Sequence, residues 1–351
     1  MFVYIGSRTT RERNARGEGI SICHFNEATG QLKLINTVKD LVNPSYLAIS
    51  HNKQYLYVVH GDMCNVSAFK INPVTGDLQW LDTLHCGGKN PVHLALDPTD
   101  RYLIISNHLT GNIVSIRLTE DGKFERIQFN INLPGKPGPQ RIEQPFSKPH
   151  YNAFDLSRRF VIVPDKGLDK IFCFHYENGK LIPSKYPSVD AREGAGPRHY
   201  VQHPSQKYIY VINELDSTIA TYTFDQLDGK LTAIQNISTL SNDYVGNSRA
   251  ASILLNRTGD YVYASNRGEN SIAMFSVNAS TGKLKFVETF AVGGETPRCI
   301  ALSPNGKFIF SLNEDSHNIS IFHVDSENGT LRQTHIDNYF GSPVNMEFLD
   351  I

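Results

Sequence analysis

The chain has 351 residues, a formal net charge of −1, 40% hydrophobic residues and five cysteines. Near-neutral charge argues against a dedicated nucleic-acid or anionic-membrane surface, and no apolar stretch is long enough to span a bilayer. The cysteines (Cys23, Cys64, Cys86, Cys173 and Cys299) are odd in number, scattered and without a CxxC pair. Buried free thiols are therefore expected, in a reduced, cytoplasmic setting; Met1 runs directly into a strand, so no signal peptide is visible.

From the N-terminus, FVYIGS at Phe2 reads as a strand, followed by an Arg-rich insertion, Ser7–Gly19, holding Arg8, Arg11, Arg13 and Arg16. ISICHF from Ile20 and the turn TGQL from Thr29 come next. From Asn43 a complete unit begins. NPSYLAIS opens it, strands follow at Tyr55–Val59 and Val66–Ile71, and the turn TGDL at Thr75 leads to a fourth strand. The opening recurs as NPVHLALD from Asn90, KPHYNAFD from Lys148, GPRHYVQH from Gly196, NSRAASILL from Asn247, TPRCIALS from Thr296 and SPVNMEFLD from Ser342. Measured from Pro44 through Pro91, Pro149, Pro197, Ser248 and Pro297 to Pro343, the steps are 47, 58, 48, 51, 49 and 46 residues. The long step contains a Pro- and Gly-rich insertion, Ile131–Lys148. Each turn places Gly after Asp, Asn or Thr (DGKF, NGKL, DGKL, TGKL, NGTL), where a tight hairpin needs positive φ.

A β-rich period near 50 residues is the mark of a propeller, one blade per repeat. The N-terminus lacks an opening strand, and the C-terminus is an opening strand with nothing after it. The expectation is an all-β, seven-bladed β-propeller, a single domain over residues 1–351, closed by pairing of N- and C-terminal strands in one blade. Pairing the ends would also remove an exposed sheet edge.

In a propeller the first strand of each blade lines the central channel, and the second runs antiparallel to it. Residues opening strand one therefore meet those ending strand two on one face. Four of seven openings carry Arg or His after Pro or Ser: His150, Arg198, Arg249 and Arg298. Arg8, Asn213, Glu214, Asn266, Arg267 and Glu314 come to the same face from second-strand ends. Convergent cations in a nearly neutral chain would focus an anionic ligand, and a guanidinium fork suits carboxylate or phosphate. His150 or Glu214 could activate water while Arg198 and Arg249 stabilise an oxyanion; Arg298, Arg267 and Arg8, with Asn213 and Asn266 beside them, would hold the substrate. Glu314 reads better as a structural partner of the arginines, and His199 and His93 as packed between blades. Arg11 and Arg13 read as solvated. No metal-ligand spacing, phosphate loop or G-x-S-x-G elbow is present, so no metal and no cofactor is expected.

Residues Arg192–Tyr222, REGAGPRHYVQHPSQKYIYVINELDSTIATY, resemble the corresponding blade of the seven-bladed propeller 6-phosphogluconolactonases, a family that includes the propeller enzyme lactonising 3-carboxy-cis,cis-muconate. KPHYNAFDLSRRFVIVPDKGLDKI from Lys148, SRAASILLNRTGDYVYASNRGENSIAMF from Ser248 and TPRCIALSPNGKFIF from Thr296 support the resemblance, which covers the whole chain. It implies a metal-independent lactonase whose catalytic His, two Arg and Glu fall on His150, Arg198, Arg249 and Glu214. The expected substrate is a small anionic lactone, foremost 6-phospho-D-glucono-1,5-lactone. An unphosphorylated aldono- or uronolactone, a muconate cycloisomerisation and a non-enzymatic interaction propeller are the alternatives. The expected assembly is a monomer or weak homodimer.

Overall fold

The computed structural model describes residues 1–350 and consists of strands and their connections, with one three-residue 3-10 turn at Arg11–Arg13. Seven antiparallel four-stranded sheets form the blades. Blades 2 to 7 are contiguous in sequence, at residues 44–85, 91–132, 153–190, 197–238, 249–291 and 297–337. Blade 1 is composite: Pro343–Leu349 is its inner strand, followed outward by Phe2–Ser7, Ile20–Phe25 and Leu32–Val38. Phe2 pairs with Leu349 and Gly6 with Asn345, so the two ends of the chain close the ring as the repeat count anticipates.

The core is divided among the gaps between blades. Seven apolar clusters each join two neighbours, and the cluster of Phe308, Phe310 and Leu312 with Val3, Ile5, Phe25 and Met346 joins the last blade to the first. Second strands are covered on both faces. Tyr55–His60, Tyr102–Asn107, Tyr208–Asn213 and Phe308–Asn313 are buried along their whole length, which is why they read as apolar runs in the sequence. Outer strands such as Leu32–Val38 face solvent and alternate more weakly.

A recurring tyrosine fastens each of blades 1, 2, 5 and 6 to its neighbour's outer hairpin. Tyr4 Oη donates to the Gly76 carbonyl at 2.8 Å, Tyr57 to Gly122 at 3.0 Å, Tyr210 to Gly282 at 3.0 Å and Tyr263 to Gly329 at 2.6 Å. These glycines have φ between 71° and 81°, as the turn motifs require. A Cβ on Gly282 would also lie 2.3 Å from Tyr208 Cδ1, so the turn and the blade contact both demand glycine there.

One opening departs from expectation. In KPHYNAFD only Ala153–Phe154 forms regular strand, with Pro149 making an isolated bridge to Asp165. Between them the Asn152 N–H turns away from its own sheet to His93 Nδ1 of blade 3, at 3.2 Å. The residues of the insertion preceding this opening pack over blade 4: Gly138 N–H donates to the Gly167 carbonyl at 2.9 Å and Gln144 Nε2 to the Lys166 carbonyl at 2.8 Å.

Candidate active site

Two local devices build the mouth of the channel. The first is a bulge. In blades 2, 3, 5 and 7 the register slips just after the opening proline, leaving Ser45, Val92, Arg198 and Arg298 as extra residues. A bulge bends its strand and re-aims the side chain of the extra residue. The second device is a closing hydrogen bond. The residue after the second strand donates its N–H to the carbonyl just before the opening: Arg8 to Ser342, His108 to Asn90, Lys166 to Lys148, Glu214 to Gly196 and Glu314 to Thr296, all at 2.7–3.0 Å. Each blade thus presents one opening residue and one strand-end residue side by side.

Glu214 is the hub. Its Oε1 lies 2.7 Å from Lys166 Nζ, and its Oε2 lies 3.0 Å from Arg198 Nε and 3.2 Å from Arg267 Nη2. Burial pushes this carboxyl up, but Arg267, Lys166 and Arg198 together outweigh it and hold the pKa well below the usual carboxylate range. Arg198 is itself buried; burial and Arg267 push it down to about 9 against the pull of Glu214, which leaves it charged at neutral pH. Its Nη1 donates to the Ala251 carbonyl and lies 3.2 Å from His199 Nε2. Glu143, from the 131–148 insertion, bridges Lys166 Nζ at 2.9 Å and Arg249 Nη1 at 2.8 Å. On the other side Glu314 faces Arg298 at 3.2 Å and Arg8 at 3.7 Å. Arg8 also reaches Asp62 at 3.4 Å, which Arg13 shares, so seven cations (Arg8, Arg13, Lys166, Arg198, Arg249, Arg267 and Arg298) share four carboxylates (Asp62, Glu143, Glu214 and Glu314).

Three of these groups, Arg8, Arg198 and Arg298, line a cavity of about 260 Å³ running down the channel, together with Tyr46, His150, Tyr151, His199 and Glu347 among others. His150 is buried, and its Nδ1 has no hydrogen-bond partner. Burial, then Arg198 and His108, push its pKa well below that of a free imidazole, so it is neutral at pH 7. Deeper down, burial raises Glu347 to about 8, and no cation lies within ion-pair distance of it among the described residues. A largely protonated Glu347 does little to offset the positive charge above.

The structure brings His150, Arg198, Arg298 and Arg8 around one cavity, with Glu214 behind Arg198. Arg249 is half exposed at the rim, 4.0 Å from Glu214. Arg267 is engaged by Glu214 and by the Ala250 carbonyl. Asn213 and Asn266 are turned away from the cavity: Asn213 Nδ2 donates to Thr218 Oγ1 in its own blade, and Asn266 bonds Glu269 and Ser271 in its blade and Thr239 in the connection from blade 5. Neither reaches the cavity. His199 is a correction: it lines the cavity between Arg198 and His150, its ring centroid 5.2 Å from that of His150. His93 is packed as expected, between Tyr46 and Tyr151. Arg13 is not merely solvated but makes a two-pronged pair with Asp62. Sequence reading missed Lys166 and Glu143. The repeat register held the signal for Lys166, which follows its second strand as Glu214 and Glu314 follow theirs; Glu143 lies in a non-repeating segment with no register to read.

No group of three or more His, Cys, Asp or Glu side chains is arranged to hold a metal ion among the described residues. A family model described as "Lactonase, 7-bladed beta-propeller" matches residues 2–348. A 6-phosphogluconolactonase of Formosa agariphila is 33% identical over 308 residues, covering 84% of each chain. One of Bacillus subtilis is 30% identical over 300 residues, covering 85% of this chain and 84% of its own. Among solved structures, a periplasmic gluconolactonase of Pseudomonas aeruginosa superposes with a TM-score of 0.90 over 99% of this chain and 98% of its own, at 23% identity, a likeness of fold. With a ring of seven sheets and a family match along nearly its whole length, the chain belongs to the seven-bladed β-propeller lactonase family.

Proposed function

We propose that the protein hydrolyses an anionic sugar lactone, foremost 6-phospho-D-glucono-1,5-lactone to 6-phosphogluconate, in a reduced cytoplasmic compartment. The observation that carries the reading is the position of a buried His150, held neutral by its surroundings, in a cavity that Arg8, Arg198 and Arg298 also line. The names of the 30–33% identical relatives support the reaction class, and the free cysteines accord with the compartment.

The residues divide the work. His150 takes a proton from water as the water oxygen attacks the lactone carbonyl carbon. Arg198 holds the oxyanion of the tetrahedral intermediate in a site shielded from bulk water. Collapse breaks the bond to the ring oxygen, which receives the proton from His150 and leaves as a hydroxyl; the new acid releases its own proton to solvent. Glu214 is a poor base because three cations stabilise its ionised form; it acts as the counter-ion that orients Arg198, Lys166 and Arg267. Arg249, at the rim, belongs with Arg298 and Arg8 in holding the substrate's charge. An excess of three cations, seven against four carboxylates, favours a dianion over a neutral sugar.

The test is the rate of ring opening above the spontaneous rate at pH 6.5, for the 6-phosphorylated lactone, the same lactone without phosphate, and a uronolactone. The phosphorylated lactone should give the highest kcat/KM. No acceleration with any of the three would remove the reading.

A further inference from the structure

We infer that Glu143 is a built-in, displaceable occupant of an anion seat formed by Lys166 and Arg249, and that the charged group of the substrate takes its place. The inference deepens the lactonase reading only in naming the competing anion; the seat itself stands on the geometry.

Glu143 spans the seat as the two oxygens of a bound anion would. One oxygen is 2.9 Å from Lys166 Nζ and the other 2.8 Å from Arg249 Nη1. The two cations come from different blades, and Glu143 reaches them from a segment belonging to neither sheet. The other carboxylates of the network are anchored differently. Glu214 and Glu314 each follow a buried second strand and are fixed by the closing hydrogen bond of their backbone N–H. Glu143 lies in a turn without regular structure, tied at Gln144 and Gly138, and its side chain is 23% exposed. Its neighbour Ile142 is 89% exposed, so the turn is not packed down by apolar contacts at this point. Arg249 itself is 49% exposed, within reach of an arriving ligand.

Charge supplies the reason for exchange. An anion placed beside Glu143 would meet a carboxylate at close range, whereas an anion replacing it would meet Lys166 and Arg249 with Glu143 released to solvent. The tethered carboxylate therefore acts as a filter. A dianionic phosphate displaces it at a cost in affinity, a more weakly charged group does not, and a neutral sugar is indifferent to it. Glu143 thus sets how strongly an anion must bind to enter the seat and takes no part in the bond-breaking step.

Titration of the full-length protein with inorganic phosphate, followed by calorimetry, decides the matter without turnover. Glu143→Gln keeps the shape and removes the competing charge, so phosphate should bind about tenfold more tightly than to wild type. In Glu143→Gln/Arg249→Gln that gain should vanish. Equal or weaker binding by Glu143→Gln would make the carboxylate an orienting group for the two cations and overturn the inference, as would a gain that survives in the double variant. If lactone opening is also measured, Glu143→Gln should lower KM for the phosphorylated lactone and leave KM for the unphosphorylated one unchanged. Absence of turnover with a positive phosphate result would count against the lactonase reading and not against the seat.

Discussion

His150 owes its proposed role to what its surroundings withhold. Burial and the nearby Arg198 disfavour the imidazolium, and no protein group accepts or donates at Nδ1. A general base must be unprotonated before it acts. A pKa lowered from 6.5 therefore keeps the base competent to lower pH than a free imidazole, and activity is lost only as pH falls through the lowered value. The acid limb of kcat/KM, which reports the free enzyme, should lie below pH 6.5, with the spontaneous rate subtracted at each point. Glu214, held below the usual carboxylate range, would give a similarly low limb, so the profile alone does not separate the two. Substitution does. His150→Ala should lower kcat by about 10²–10⁴-fold with a small change in KM, the usual range for a lost general base. A variant keeping more than a tenth of wild-type kcat would move that role to another group.

At the scale of the strand and turn, each blade repeats its punctuation because each must solve the same geometric problem. Hairpin glycines combine positive φ with close approach to an aromatic ring of the neighbouring blade, and Gly194, in the connection between blades 4 and 5, has the first without the second. Gly282 has φ 71° and a Cβ there would sit 2.3 Å from Tyr208 Cδ1; Gly194 has φ 78°, yet nothing comes closer than 3.5 Å. Gly194→Ala should cost only the left-handed backbone strain, about 1–2 kcal/mol. Gly282→Ala adds a clash with a ring fixed in the blade interface and should cost at least about 1 kcal/mol more, because overpacking forces neighbours to shift. Urea unfolding of the two variants measures the difference; equal losses would show that the interface yields to the added methyl group. This repetition also explains what the sequence disclosed. Openings, turns and apolar second strands recur because packing on both sides of every blade enforces them, so blade count, closure and the placement of His150, Arg198 and Arg298 at the cavity could be read directly. Asn213 and Asn266 share the same register but spend their hydrogen bonds on neighbouring strand and connection residues away from the cavity, which no repeat reveals. Glu143 arrives on a segment with no counterpart elsewhere in the chain, and only the folded path of 131–148 carries it over to Arg249.

For the whole molecule, the composite blade is the one place where ring integrity depends on the meeting of the chain's two ends. Pro343–Leu349 contributes Met346 to the cluster shared with blade 7 and Leu349 to the cluster shared with blade 2, so one strand feeds two of the seven interfaces. Truncation after Ser342 would thin both and leave Phe2–Ser7 as an open edge, a ready template for pairing with another chain. The truncated protein should accumulate in the insoluble fraction. Covalent continuity is a different matter. Phe2 is paired with Leu349, so a linker of a few residues can join the original ends without disturbing the sheet. New ends can then be opened between Asn242 and Asp243, in the connection between blades 5 and 6, where Val245 is 99% exposed. In that permutant blades 1 to 7 are each a continuous stretch of chain, and the seven interfaces are unchanged. Its thermal midpoint should lie within a few degrees of the parent, and its lactone-opening rate within about twofold, since neither the cut nor the linker touches the cavity residues. A truncation that stays soluble and folded would show that closure by the two ends contributes little and that the ring is held by its other blade interfaces. A permutant that melts far below the parent would show instead that the ring depends on continuity through the connection between blades 5 and 6.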